Sequence, residues 1–81
     1  MSISSNIAEG FSRSTKADKT HFYVMALGSL TEVQSQLLIA RDIKYLKPDV
    51  CSRLAEDSMI VQKLLHGLTK ALKSGKGVRN E

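Results

Sequence analysis

The sequence predicts an all-α fold, a helical bundle with up-and-down connections between neighbouring helices. Two long segments, residues 16–46 and 48–73, carry apolar side chains at the spacing of a helix surface. The only proline of the chain, Pro48, falls between them, so the turn is short and the segments are expected to form an antiparallel hairpin. The first segment would be about 45 Å long, more than the rest of the chain can cover, and this predicts an oligomer.

The first element is expected to be a short helix over residues 2–9. Ile3 and Ile7 lie one turn apart, and Gly10 is the predicted C-cap that ends the helix. So short a segment does not hold a helix in isolation. It is therefore interpreted as the end of a longer helix whose beginning is absent.

The long helix is predicted to start after Thr15, because Thr15 and Asp18 have the spacing of a capping box with a shorter acid; Ser14 is an alternative cap. Gly28 in mid-helix predicts the close approach of another backbone, with a hinge as the less favoured interpretation. Apolar residues cover more than one face, which predicts neighbours on at least two sides. One stripe consists of Tyr23, Leu27, Leu30 and Leu37, and the other of Phe22, Ala26, Val33 and Ala40.

The last helix is predicted from Pro48 to Lys73, with Asp49 favourable in its first turn. Its strongest apolar pattern is a 4-3 repeat, which is typical of a bundle seam, and a second stripe is weaker. Residues 74–81 are expected to be a flexible basic tail. The seam consists of Val50, Leu54, Val61, Leu64, Leu68 and Ala71, interrupted by Asp57, and the weaker stripe of Cys51, Ala55, Leu65 and Leu72.

Length and composition indicate one domain, residues 1–81, with 42% hydrophobic and 25% charged residues. The single cysteine excludes an internal disulfide, and no segment resembles a signal peptide or a membrane span, so a cytoplasmic protein is expected. The net charge is +4, and the whole excess lies in residues 63–81. A basic segment attracts phosphate, although lysines near a helix C-terminus also serve to complement the helix dipole.

Candidate catalytic and metal-binding residues lack the spacing that such chemistry needs. His21 and His66 have no Cys, His or Glu three or four residues further on, and Cys51 has no sequence neighbour to activate it. The sequence therefore predicts no enzyme, no metal, no cofactor and no small-molecule substrate. Acid–base chemistry by a pair of Glu9 and Glu32 is the less favoured alternative to a structural role. In that structural role a buried polar network is expected from Asn6, Glu9, Ser29, Glu32 and Gln36.

Two runs of the sequence resemble the four-helix-bundle proteins encoded in intervening sequences of bacterial 23S rRNA genes. The first run is SISSNIAEGF at residues 2–11, and the second is ALGSL at residues 26–30 followed by Glu32. The resemblance covers nearly the whole chain and weakens after residue 50. It implies a four-helix bundle from which this chain lacks the first helix and the start of the second, through truncation or a misplaced start codon.

The resemblance also implies partners. The resemblance implies a pentamer, since family members assemble in this way. It also implies a partner: a related branch, the accessory protein of diversity-generating retroelements, binds a reverse transcriptase and nucleic acid. We therefore expect a homopentamer that binds RNA, DNA or a reverse transcriptase-like protein, and no membrane. The alternative is a structural adaptor that binds another protein through the groove left by the missing helix. The residues expected to contact phosphate are Arg41, Lys44 and Lys47 at one end of the bundle and Lys70, Lys73, Lys76 and Arg79 at the other.

Overall fold

A computed structural model of the chain describes residues 2–74, and these residues form three α-helices. The helices are α1 (Ile3–Ser12), α2 (Lys16–Asp42) and α3 (Pro48–Ser74). The predicted all-α fold is confirmed. Of the predicted tail, Ser74 is the last residue of α3, and residues 75–81 lie outside the described part of the chain.

Helix α1 is short but well anchored at its start. Ser2 is the N-cap, and its hydroxyl oxygen accepts a hydrogen bond from the Ser5 amide at 3.1 Å. Ile3 and Ile7 are partly buried and pack against the core. The helix is therefore held by its apolar face on α2 rather than by its own length.

The prediction that Gly10 ends α1 is wrong. The helix continues to Ser12, and Gly10 is buried within it. A Cβ atom at this position would lie 2.9 Å from Cδ1 and 3.0 Å from Cζ of Tyr23 in α2. Glycine is required here because it lets α1 approach the Tyr23 ring, not because the backbone must turn.

Helix α2 starts where the sequence predicts and ends four residues early. Thr15 is the N-cap, and its Oγ1 accepts a hydrogen bond from the Asp18 amide at 3.1 Å, which confirms the predicted start. The predicted end at Leu46 is wrong, because regular helix stops at Asp42. The chain then turns through Lys44, whose φ of 59° is left-handed and cannot continue a right-handed helix.

Helix α3 begins at Pro48 with Asp49 in its first turn, as predicted. Proline suits this position because its missing amide hydrogen has no partner in a first turn. The helix extends to Ser74, one residue beyond the predicted end at Lys73.

Helix α2 is the central element and packs against both α1 and α3. Its residues 20–27 share a groove with residues 66–73 of α3, and its residues 34–41 share another with residues 51–59. The molecule is elongated, 48 Å by 21 Å by 14 Å. The core consists of Tyr23, Ala26, Leu30, Leu65 and Leu72, with Ile3, Ile7, Leu27, Val61 and Leu68 packed at its margin.

The face of α3 that packs on α2 is not the predicted seam. The buried residues are Cys51, Ser58, Leu65 and Leu72, so the stripe judged weaker from the sequence is the inner one. Small side chains at positions 51, 55 and 58 allow the two helices to approach closely. The predicted seam lies beside this face and is only partly covered in the single chain. Val61 and Leu68 pack at the margin of the core, whereas Val50, Leu54 and Leu64 are 39%, 42% and 51% exposed.

Large apolar side chains on α2 remain uncovered, as the length of the helix predicts. Val24, Leu38 and Ile39 are all more than half exposed. The predicted close approach of a second backbone at Gly28 is not made within residues 2–74, since a Cβ there would meet nothing within 4 Å.

Candidate functional site

The first predicted basic cluster, which we call the loop cluster, lies where α2 ends and α3 begins. Its members Arg41, Lys44 and Lys47 are all exposed. Nη2 of Arg41 lies 3.2 Å from Oδ1 of Asp42, and Asp49 follows Lys47 by two residues. Two carboxylates at this end therefore offset part of the positive charge.

Two members of the second predicted cluster, Lys70 and Lys73, lie beside the start of α2. Lys70 and Lys73 are exposed on the last turns of α3, whereas Lys76 and Arg79 lie outside the described residues. A groove with a volume of about 420 Å³ lies between this end of α3 and the start of α2. We call it the basic groove; it is lined by Thr20, Val24 and Leu27 of α2 and by His66, Thr69, Lys70 and Lys73 of α3.

The basic groove lies in a part of the molecule without acidic residues on α2 or α3. Residues 19–31 of α2 and 58–74 of α3 contain no aspartate or glutamate. The positive charge of the lysines in these two segments is thus not offset by carboxylates of the same segments. These lysines are Lys19, Lys63, Lys70 and Lys73.

Two further cations near this end are used by the fold. Nζ of Lys19 donates to the carbonyl oxygens of Gly10 and Phe11, both at 3.1 Å, and so satisfies carbonyls at the end of α1. The guanidinium of Arg13 lies over the ring of Phe22, 4.8 Å from its centroid. We therefore assign Lys19 and Arg13 to the α1–α2 corner rather than to the groove.

The residues predicted to form a polar network lie in different surroundings. Asn6 is buried at 2% exposure, whereas Glu32 and Gln36 are exposed and Ser29 is half-buried. Oε2 of Glu9 accepts a hydrogen bond from Nη2 of Arg13 at 2.8 Å, an ion pair within one turn. Glu32 and Gln36 would be covered only in an assembly of chains, so the buried network of Asn6, Glu9, Ser29, Glu32 and Gln36 stays a prediction.

A polar contact between α2 and α3 was missed by the sequence reasoning. Nε2 of Gln34 donates to Oγ of Ser58 at 3.1 Å and to Oε1 of Gln62 at 3.0 Å. Ser58 is buried and in turn donates to the carbonyl oxygen of Ala55 at 2.7 Å. The available signal was the position of Ser58 and Gln62 on the same stripe as Cys51, Leu65 and Leu72.

A second, apolar groove lies near the loop, with a volume of about 280 Å³. Its walls include Leu37 and Leu38 of α2 and Met59 of α3. The buried Cys51 thiol also lines it. This apolar groove offers a surface to a protein partner rather than to phosphate.

Tyr23 is the most deeply buried aromatic residue of the core, with 2% exposure. Its ring meets that of Phe11 edge-on, with centroids 5.9 Å apart. Burial raises the pKa of the Tyr23 hydroxyl, because the ionised form would lose its hydration.

Two classes of site are not found in the described part of the chain. Residues 2–74 contain no group of three or more His, Cys, Asp and Glu side chains placed to hold a metal ion. Nor does any helix among them combine the length and apolarity that crossing a membrane requires.

Comparison with known proteins gives one match. A family model described as 23S rRNA-intervening sequence protein matches residues 1–67. No curated protein and no solved structure matches the chain significantly. The matched residues include all of α1 and α2 and about the first three-quarters of α3, and they stop before Lys70 and Lys73.

Proposed function

Because the chain belongs to the 23S rRNA-intervening sequence protein family, we propose that it is a non-enzymatic helical-bundle protein that assembles with its own copies and binds the phosphates of RNA or DNA. The observation that carries this proposal is the positive charge, not offset by carboxylates, where α2 starts and α3 ends. Binding of this kind releases counterions from the nucleic acid, so it weakens steeply with salt. Lysines that contact phosphates do not read bases, so little sequence preference is expected.

The proposed binding residues form two sets at opposite ends of the hairpin. In a ring of copies each set recurs once per subunit, so a modest charge on one chain becomes a larger field. The cytoplasm is the proposed location, where such nucleic acids are found. The two sets are Arg41, Lys44 and Lys47 at the loop, and Lys70, Lys73, Lys76 and Arg79 at the other end.

The proposed assembly is a homopentamer of antiparallel four-helix-type bundles. Its support is the predicted seam of α3, on which Val50, Leu54 and Leu64 are exposed in the single chain. Leaving such a stripe in water is unfavourable, and a second chain on it would remove that cost. In an assembly, the same contact brings more copies of the basic groove to one nucleic acid.

Two measurements test the proposal. Light scattering on a size-exclusion column gives the mass of the assembly, and titration of a fluorescently labelled RNA duplex and DNA duplex gives affinity. We expect a mass near five subunits and binding at about 50 mM salt that falls by orders of magnitude at about 200 mM. Absence of binding to either duplex at the lower salt would reject the nucleic-acid function.

The alternative function is an adaptor that recognises a protein, such as a reverse transcriptase-like enzyme, through an exposed helical groove. The observation that favours it is the apolar groove with Leu37, Leu38 and Met59 in its walls. A Leu38→Gln variant separates the two functions. It should leave duplex affinity unchanged if the proposed function holds, and it should abolish partner binding if the adaptor function holds.

A further inference from the structure

We propose that the basic groove seats a phosphate group of a nucleic-acid backbone, and that this groove rather than the loop cluster is the main phosphate contact of the chain. The inference rests on the proposed nucleic-acid function and narrows it to one site. It comes from the way α2 and α3 place two lysines, a histidine and a free hydroxyl around one groove.

Two lysines and one hydroxyl supply the donors of the site. Lys70 and Lys73 are one turn apart on α3, so both ammonium groups can reach a single anion in the groove. Thr20 faces them from α2, and its hydroxyl makes no hydrogen bond to any other residue of 2–74, which leaves it able to donate to a phosphate oxygen. The hydroxyl of Thr69 is already used, since it donates to the carbonyl oxygens of Leu65 and His66.

Neither α2 nor α3 places a carboxylate beside these donors. Asp18 is the acid of α2 closest in sequence to Thr20, and two residues of helix turn it about 160° away from Thr20. On α3 the last acid is Asp57, which precedes Lys70 by thirteen residues, about 20 Å along the helix. The lysine ammonium groups of the groove therefore remain available to an added anion.

The loop cluster is a poorer site by the same measures. Arg41 is paired with Asp42, its neighbour in the chain, and Asp49 stands two residues after Lys47. A phosphate there would displace an existing ion pair and approach two carboxylates, which costs part of its attraction. Lys70 and Lys73 lie beyond the family match, which ends at residue 67, whereas Thr20 and His66 lie within it.

The main test compares two double variants that remove the same charge. Lys70→Gln/Lys73→Gln should weaken duplex binding about tenfold at low salt and lower the slope of log affinity against log salt by about 1 to 2. The matched comparison is Lys44→Gln/Lys47→Gln, because both side chains are exposed, both belong to the loop cluster and neither lines the groove. It should lose less affinity than the groove variant, so an equal or larger loss overturns the proposal.

The hydroxyl gives a second test that leaves the charge unchanged. Thr20→Val keeps the β-branched shape and should weaken binding about three- to tenfold by removing one hydrogen bond. Thr31→Val is its control on the same helix, since Thr31 is exposed and its hydroxyl donates to the Leu27 carbonyl at 3.0 Å. Equal affinities of the two variants would contradict a direct Thr20 contact.

A third arm separates this inference from the proposed function. Inorganic phosphate added to ¹⁵N-labelled protein should shift the amide resonances of Thr20 and Lys70, as the nucleic-acid backbone should. If phosphate shifts these resonances but no duplex binds, the groove is an anion site whose ligand is not nucleic acid. If Lys44→Gln/Lys47→Gln abolishes duplex binding and Lys70→Gln/Lys73→Gln retains it, the proposed function stands. The basic groove is then rejected as the main phosphate contact.

Discussion

At the scale of single residues, the glycines of the helices have different roles that only their neighbours reveal. Gly10 is buried against the ring of Tyr23, whereas a Cβ at Gly28 or Gly67 would meet nothing within 4 Å. The residues next to these glycines in the sequence do not show which of the three is in close contact with another helix. Their roles differ because the neighbours that decide them are distant along the chain.

The Gly10→Ala variant should be destabilised by about 1–3 kcal/mol, because its methyl group overlaps a buried ring that has no space to move. Gly67→Ala is the matched control and should be stabilised by about 0.5–1 kcal/mol through helix propensity alone. Urea unfolding followed by circular dichroism measures both. A stabilised Gly10→Ala protein would show that α1 does not approach Tyr23 as described.

The buried Tyr23 hydroxyl makes stability sensitive to high pH. Its pKa is raised above the ordinary value of 10.0, so the unfolded chain releases this proton first as the pH rises. The stabilisation is fully present below pH 10 and is lost as the pH rises through the folded-state pKa. Tyr23→Phe should remove this loss in urea unfolding above pH 10. Tyr45→Phe should not, since Tyr45 is 79% exposed.

At the scale of the helices, the starts were predicted well, whereas the ends of α1 and α2 were predicted poorly. The starts depend on local side chains, Thr15 for α2 and Pro48 for α3, and these are legible in a sequence. The end of α2 is a Schellman motif, in which the Tyr45 amide donates to the Ala40 carbonyl at 2.8 Å. Its left-handed residue is Lys44 instead of glycine, so the usual signal for a helix end is missing.

The Lys44→Gly variant should be more stable by about 0.5–1 kcal/mol. A left-handed non-glycine residue costs about 1–2 kcal/mol, and glycine at this position removes that cost. The extra flexibility of glycine in the unfolded chain offsets part of the stabilisation. Lys44→Gln is the control, because it removes the same charge and keeps the same backbone penalty. Thermal unfolding of both proteins checks the prediction, and equal melting temperatures would speak against a left-handed Lys44.

At the scale of the whole molecule, one chain does not cover its own apolar surface. The single chain leaves Val50, Leu54 and Leu64 of α3 exposed, on the stripe that the sequence predicted as the seam. That stripe has the 4-3 repeat of a bundle interface, and only its members Val61 and Leu68 pack at the margin of the core. The exposed part of the seam is therefore an interaction surface in the proposed assembly.

Leu54→Gln should weaken self-association by about tenfold or more, because it places an amide in the centre of the proposed contact. Met59→Gln is the matched control, since Met59 is 58% exposed and points about 140° away from Leu54 around α3. Light scattering over a range of concentrations gives the association constants. If the Leu54→Gln protein associates as strongly as the wild type, the interface between copies does not include Leu54.

Only part of the candidate site could be predicted from the sequence. Lys70 and Lys73 were named from the sequence, because a local excess of lysine is visible without a structure. Thr20 and His66, which line the same groove, were not predicted to belong to this site, because they lie 46 positions apart in the chain. Only the packing of the end of α3 beside the start of α2 brings these two residues to one groove.

The sequence by itself determined the all-α class, the starts of the helices, the basic character of the last quarter and the family. These properties depend on residues near one another in the chain, where periodicity, capping and composition act. Tertiary structure alone decided which stripe of α3 faces α2, since both stripes are apolar and the stripe with the stronger periodicity is not the inner one. The inner stripe carries the small residues Cys51, Ala55 and Ser58, and close helix packing favours the face that lets two backbones approach.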